Sequence, residues 1–141
     1  MKILFILLIF IFSNIASAND FYLKKIVDLK DPWGSTFIDE NNILISEKGG
    51  VIKSVNINNK NVNLINHNLN FLEHGQGGLL DILFNDKFVY IAYTENRGNW
   101  KTSTSIAKAK FYKKNLTFEN IFQANPPIDS GYHFGSRLAI K

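Results

Sequence analysis

Two glycine-rich segments, residues 75–81 and 131–138, carry most of the functional information in this sequence. In the second segment His133 lies between Gly131 and Gly135, which permit unusual backbone angles and the close approach of a ligand. Histidine is the side chain most readily tuned to accept a proton near neutral pH. His133 is therefore a candidate catalytic residue, although a histidine in an aromatic loop, taken alone, is more often structural than catalytic.

Gln76 stands at the equivalent point of the first segment, and Trp33 precedes the first strand of a still earlier unit. The Gln76 amide can both donate to and accept from a hydroxyl group, although the residues alone leave its role open. Loops at matching ends of radially arranged sheets converge around one opening. We therefore expect Trp33, Gln76 and His133 to lie on one rim.

Three further polar residues accompany these segments. Arg137 suits either a bidentate bond to a carboxylate or an ion pair between neighbouring sheets, and both interpretations stay open. Asp81 falls on a strand, where a buried carboxylate accepts backbone hydrogen bonds. His74 is interpreted as a loop residue.

The elements that must position these residues are β-strands. Period-two alternation and β-branched or aromatic runs dominate, and no segment shows a sustained 3.6-residue apolar period. Gly49 and Gly50 are predicted to form a two-residue hairpin turn. The predicted strands are residues 35–38, 43–47, 51–57, 62–66, 79–84, 88–94, 105–112 and 116–122.

This order is two groups of four strands joined by a glycine-rich connection. Equivalent first strands, at Phe37, Leu83 and Ala139, recur after 46 and 56 residues, close to the period of a four-stranded propeller blade. The sequence predicts an all-β fold, a partial β-propeller of about two blades in which residues 137–140 begin a third. Propellers close with several blades, so we expect a longer parent protein. The alternative is a complete two-sheet β-sandwich.

Residues 1–18 are predicted to be a secretory signal peptide. Lys2 is followed by an apolar run over residues 3–12 and by a small-residue cleavage pattern at residues 16–18. Ser13 and Asn14 interrupt the run well short of the roughly 20 residues that a membrane span needs, so no stable membrane anchor is expected. The mature chain, residues 19–141, is expected in the periplasm or outside the cell.

Composition excludes several kinds of site. The chain has no cysteine, so disulfides, thiol nucleophiles and thiolate metal sites are excluded. The formal charge of +4 falls to +3 when Lys2 is removed with the signal, and the lysines are scattered. This pattern does not indicate nucleic-acid binding.

The mature chain resembles the glucose/sorbosone dehydrogenase family, the soluble sugar dehydrogenases that use pyrroloquinoline quinone. The similarity is most specific at residues 75–81 and 133–138, and residues 32–34, 43–50 and 90–94 support it. The resemblance implies a six-bladed propeller, usually exported, with calcium and the quinone as cofactors and an aldose as substrate. Both cofactor sites are expected mostly in later blades, so no quinone or calcium ligand is assigned here, and the electron acceptor is unknown.

By this resemblance His133 corresponds to the catalytic base, which takes the proton of the anomeric hydroxyl while hydride passes to the quinone. Gln76 corresponds to a residue that contacts the substrate hydroxyl. Tyr132 stands where the best-known glucose-oxidising members carry an acid, which disfavours glucose itself as the preferred sugar. We expect a chain of only these 141 residues to be inactive.

Two other functions compete with this interpretation. A non-catalytic propeller that binds a protein partner would need neither His133 nor Gln76. A metal-dependent, lactonase-like hydrolase would need carboxylate and Asn ligands facing the channel, where this sequence has Trp33, Gln76 and His133.

Overall fold

The computed structural model describes residues 21–112, 114–135 and 137–141, and these residues form two sheets in which most neighbouring strands are antiparallel. The predicted signal peptide lies outside the described residues. Within the described ranges no helix is long and apolar enough to cross a membrane. The strands are β1 (Pro32–Phe37), β2 (Asn42–Glu47), β3 (Val51–Asn56), β4 (Val62–His67), β5 (Leu79–Asn85), β6 (Phe88–Asn96), β7 (Thr102–Lys110), β8 (Asn115–Leu116) and β9 (Glu119–Gln123). The all-β prediction is confirmed.

The first sheet has the order β1-β2-β3-β4-β8, and only β8 runs parallel to its neighbour. The prediction of one strand over residues 116–122 is wrong, because this region divides between the two sheets. Leu116 and Phe118 bury their side chains in the core between the sheets. The Asn68 side chain then fixes the backbone of Phe118 by two hydrogen bonds of 2.7 and 3.1 Å. The chain rejoins the second sheet only at β9.

The turn between β2 and β3 has three residues, 48–50, and the predicted two-residue turn is therefore wrong. Gly50 has a φ of +91°, and a Cβ there would lie 1.9 Å from the ring of Phe71. Three-residue hairpin loops commonly place glycine at such a left-handed position. The extra residue, Lys48, uses its backbone to bond to two other segments.

The second sheet has the order β5-β6-β7-β9, with β6 and β7 paired over nine residues each. Its first strand, β5, packs against β1 and β2 of the first sheet. Gly34 makes this close approach possible, since a Cβ there would lie 2.8 Å from backbone atoms of Asp81 and Ile82. Thr36 also accepts a hydrogen bond from the Phe84 amide at 3.1 Å.

The core lies between the two sheets. The buried apolar side chains on their facing surfaces include Leu44, Ile52, Ile65, Leu79, Ile82, Val89, Ile91, Tyr93, Ala107 and Leu116. Burial raises the pKa of the Tyr93 phenol, which donates a 2.7 Å hydrogen bond to Asn120. Tyr93 is therefore a neutral donor at physiological pH.

Residues 137–140 do not form the predicted third-blade strand, because a strand needs a hydrogen-bonded partner and no described residue pairs with them as a strand. The segment nevertheless lies beside β5. The Leu138 amide donates to the Asp81 carboxylate at 2.8 Å.

Candidate functional site

The starts of β1 and β5 lie at the same end of the two sheets, because Lys48 bonds to both. Its amide donates to Asp31, just before β1, and its carbonyl accepts from the Leu79 amide at the start of β5, each at 3.0 Å. The segments that precede β1 and β5 therefore lie at the same end of the two sheets. We call this the rim end.

At the rim end the two glycine-rich segments meet. The Gln76 backbone N–H donates to the Gly131 carbonyl at 2.7 Å, and the His133 backbone N–H donates to the Gln76 side-chain oxygen at 3.2 Å. Residues 57 positions apart are thus joined directly. The expected meeting of Gln76 and His133 is confirmed, whereas their chemical roles stay predictions.

The bond to His133 also fixes the orientation of the Gln76 amide. Only the amide oxygen can accept from a backbone N–H, so the oxygen and not the nitrogen faces the His133 backbone N–H. Gln76 is exposed, and this leaves its two side-chain N–H donors accessible to an incoming oxygen. Gln76 can therefore donate to a hydroxyl group through its side-chain nitrogen.

His133 adopts a left-handed backbone conformation, with a φ of +65°. Such a conformation is uncommon for residues other than glycine, although histidine is among the side chains that adopt it more readily. Its imidazole is exposed beside the ring of Tyr132, with the ring centres 6.5 Å apart. The bond from its amide to Gln76 helps to hold this conformation.

Trp33 lies at the rim end but does not join the pair. It belongs to β1 itself, not to the loop before it, and the residue is 42% exposed. None of the hydrogen bonds or ring contacts of the described residues connects it to Gln76 or His133. Trp33 therefore lies at the same end of the sheets as Gln76 and His133, as expected, without contacting either.

His74 is a loop residue, as predicted, and its ring packs against Gly131. A Cβ on Gly131 would lie 3.0 Å from the His74 ring, and one on Gly75 would lie 2.3 Å from the Gly131 carbonyl. Because neither Gly75 nor Gly131 has a side chain, the two segments can approach each other closely enough for the Gln76 hydrogen bonds.

Lys48 completes this arrangement and was missed from the sequence. Its ammonium donates to the Gly75 carbonyl at 2.6 Å, next to Gln76. Nothing in the spacing of residues 48 and 75 indicates this bond, since it depends on how one sheet packs on the other. Lys48 thus supports the loop that presents Gln76.

Asp81 and Arg137 resolve the alternatives that the sequence left open. Asp81 is buried on β5. Its carboxylate accepts hydrogen bonds from the Arg137 guanidinium at 3.3 Å and from the Leu138 backbone amide at 2.8 Å. Arg137 therefore forms an ion pair with β5. Its side chain is 83% exposed, and such pairs contribute little to stability.

Replacing Lys48 with Met should loosen the Gln76 loop. The change keeps the apolar stem but removes the bond to Gly75, which we expect to be worth about 1 kcal/mol. Amide exchange at Gln76, measured by NMR, should become about 5-fold faster through local opening. Lys101→Met, at an exposed lysine, is the matched control and should leave this rate unchanged. Equal rates in the two variants would contradict a supporting role for Lys48.

Solved structures of similar fold define the class of protein. The soluble aldose sugar dehydrogenase of Escherichia coli in its apo form aligns with 79% of this chain and 35% of its own, with a TM-score of 0.72 at 26% identity. The pyrroloquinoline-quinone-bound aldose sugar dehydrogenase of Streptomyces coelicolor aligns with 70% and 32%, with a TM-score of 0.62 at 20% identity. The fold is that of part of a sugar dehydrogenase propeller, which confirms the fold prediction.

Sequence comparison identifies the family. The glucose/sorbosone dehydrogenase family model matches residues 29–141, so the chain belongs to this family. The aldose sugar dehydrogenase YliI of Escherichia coli is 27% identical over 79% of this chain and 33% of its own length. An uncharacterized protein of Synechocystis is 30% identical over 89% and 34%. The chain therefore spans about a third of the length of these curated relatives.

Proposed function

We propose that this chain is the N-terminal part of a quinoprotein sugar dehydrogenase that oxidises aldoses at the anomeric carbon. Family membership supports the reaction class. The observation that carries the proposal to particular residues is the direct contact of Gln76 with His133 at the rim end. The bond joins the His133 backbone to the Gln76 side chain, and both residues are exposed.

In this proposal His133 is the general base, and Gln76 binds the substrate hydroxyl. The imidazole nitrogen accepts the proton of the anomeric hydroxyl, while the Gln76 amide nitrogen donates to a sugar oxygen and holds the hydroxyl near the base. General-base catalysis of this kind typically contributes about 10²-fold to 10⁴-fold in rate. Pyrroloquinoline quinone, when bound, supplies the acceptor for the hydride.

The residues at the rim end fit one edge of such a site. Their donor set suits a hydroxyl and a polar ring oxygen, but an anionic quinone also needs cations. Two cationic side chains beside these segments, Lys48 and Arg137, are already bonded to Gly75 and Asp81. Among the described residues no group of three or more His, Asp or Glu side chains could hold a metal ion. We therefore propose calcium and the quinone as cofactors by family resemblance and assign no ligand for either.

We further propose residues 1–18 as a signal peptide and residues 19–141 as the first blades of a six-bladed parent in the periplasm or outside the cell. The propeller fold supports a longer parent, because each blade buries its faces against its neighbours. The apolar run over residues 3–12 and the small residues at 16–18 support the signal peptide. Sequencing the gene beyond the codon of Lys141 tests it. Four more blades are expected, and an intact gene without them would contradict the proposal.

The isolated chain should show no turnover. We expect purified residues 19–141, supplied with the quinone, calcium, an aldose and an artificial electron acceptor, to leave the acceptor oxidised, because the proposed cofactor ligands lie mostly in later blades. The parent protein under the same conditions is the positive control. Turnover by the isolated chain would contradict this assignment of the cofactor sites, whereas an inactive parent would favour the non-catalytic binding module.

A further inference from the structure

The turn between β6 and β7, residues 97–101, projects an exposed tryptophan at the rim end. Trp100 is 72% exposed, although burial of so large an apolar group is normally favourable. The turn lies at the rim end because β6 ends beside the start of β5, where the Thr94 amide donates to the Gly78 carbonyl at 2.9 Å. Trp100 therefore faces solvent at the same end as Gln76 and His133.

The backbone of this turn is held in an unusual conformation. Three successive residues, Gly98, Asn99 and Trp100, have φ values of +77°, +51° and +61°. Conformations of this kind persist in residues other than glycine only when surrounding contacts fix them, and they cluster at ligand-binding sites. The conformation of this turn therefore exposes the Trp100 side chain to solvent.

Hydrogen bonds fasten the turn at its base. The Arg97 amide donates to the Lys101 carbonyl and the Lys101 amide to the Gly98 carbonyl, both at 2.9 Å. The Arg97 guanidinium donates to Ser103 at 3.1 Å and lies 3.6 Å from the Glu95 carboxylate. The indole is thus carried by a rigid support, which lowers the entropy lost when a ligand binds.

Beside the indole lies an open depression of about 430 Å³, lined by Leu72, Asn96, Gly98, Asn99 and Trp100. This volume is in the range of small-molecule sites. Asn96 accepts from the Gly98 amide through its side-chain oxygen at 3.0 Å, and its side-chain nitrogen can donate to a ligand. An apolar ring face is therefore combined with amide groups that can donate to hydroxyls.

We propose that Trp100 is the floor of a sugar subsite, on which a pyranose ring stacks its C–H face while Asn96 and Asn99 bind its hydroxyls. The ligand class rests on the proposed function. The turn is at the rim end, and no hydrogen bond of the described residues joins residues 97–101 to Gln76 or His133, so the ring bound here is assigned as a second sugar unit of an oligosaccharide, not the one oxidised.

The test uses the two tryptophans of the chain as paired probes. The indole N–H signals of Trp33 and Trp100 are followed by NMR while the chain is titrated with maltose, without quinone or electron acceptor. We expect the Trp100 signal to shift saturably in the millimolar range and the Trp33 signal to stay in place. Sorbitol, which has hydroxyls but no ring, should move neither signal.

A second measurement uses the parent protein. Trp100→Leu should raise KM for maltose about 3-fold to 10-fold, the range expected for loss of one aromatic contact, with kcat and the KM for a monosaccharide unchanged. Unchanged Trp33 shifts in this variant show that it is folded. The subsite is refuted if maltose leaves the Trp100 signal in place or if sorbitol moves it equally. Since the titration needs no turnover, an inactive parent would refute the proposed function without affecting this result.

Discussion

Replacing His133 with Asn in the parent protein should lower kcat about 10²-fold to 10⁴-fold, the contribution expected of a general base. Asparagine is chosen because it tolerates the left-handed conformation that His133 adopts, with a φ of +65°. The backbone bond to Gln76 is then retained, and the proton acceptor alone is lost. Steady-state kinetics with an aldose and an artificial electron acceptor measure the effect.

Tyr132→Phe is the matched control for His133→Asn. The Tyr132 ring is exposed beside the imidazole and should be replaceable with less than about a 3-fold change in kcat, as expected for a surface substitution that removes no buried group. If His133→Asn retains most of the activity while Tyr132→Phe loses it, the base has been assigned to the wrong residue.

The second large effect concerns stability. Gly78→Ala should destabilise the chain by about 3 to 5 kcal/mol, because strain and overpacking combine. Gly78 has a φ of +148°, and a Cβ there would lie 2.2 Å from the Lys48 carbonyl oxygen. That oxygen cannot withdraw without losing its bond to the Leu79 amide. Urea denaturation of the chain measures the loss.

Gly98→Ala separates the two causes. Gly98 also has a positive φ, of +77°, but a Cβ there would meet nothing within 4 Å. Only the backbone penalty remains, and we expect a cost of about 1 to 2 kcal/mol. Similar costs for the two substitutions would show that the contact between Gly78 and Lys48 does not hold the two sheets together.

Most of the strand pattern could be predicted from the sequence. Strands such as β2 and β6 are indicated by apolar alternation between turn residues, which is a local property. The division of residues 115–123 could not be predicted in this way. Leu116 and Phe118 do not pair with the second sheet, because their side chains are buried in the core between the sheets. A buried position formed by both sheets cannot be recognised from the neighbouring residues in the sequence.

The sequence by itself determined the all-β class, the blade-like rhythm, the candidate base His133 and the equivalent position of Gln76, because these depend on residue type and spacing. Only the tertiary structure decided that Gln76 bonds to the His133 backbone and that Lys48 supports the Gln76 loop. It also decided that Trp33 stands apart and that Trp100 is exposed at the rim end. The physical reason is that these contacts join residues up to 57 positions apart, and their geometry is set by how β5 packs against β1 and β2.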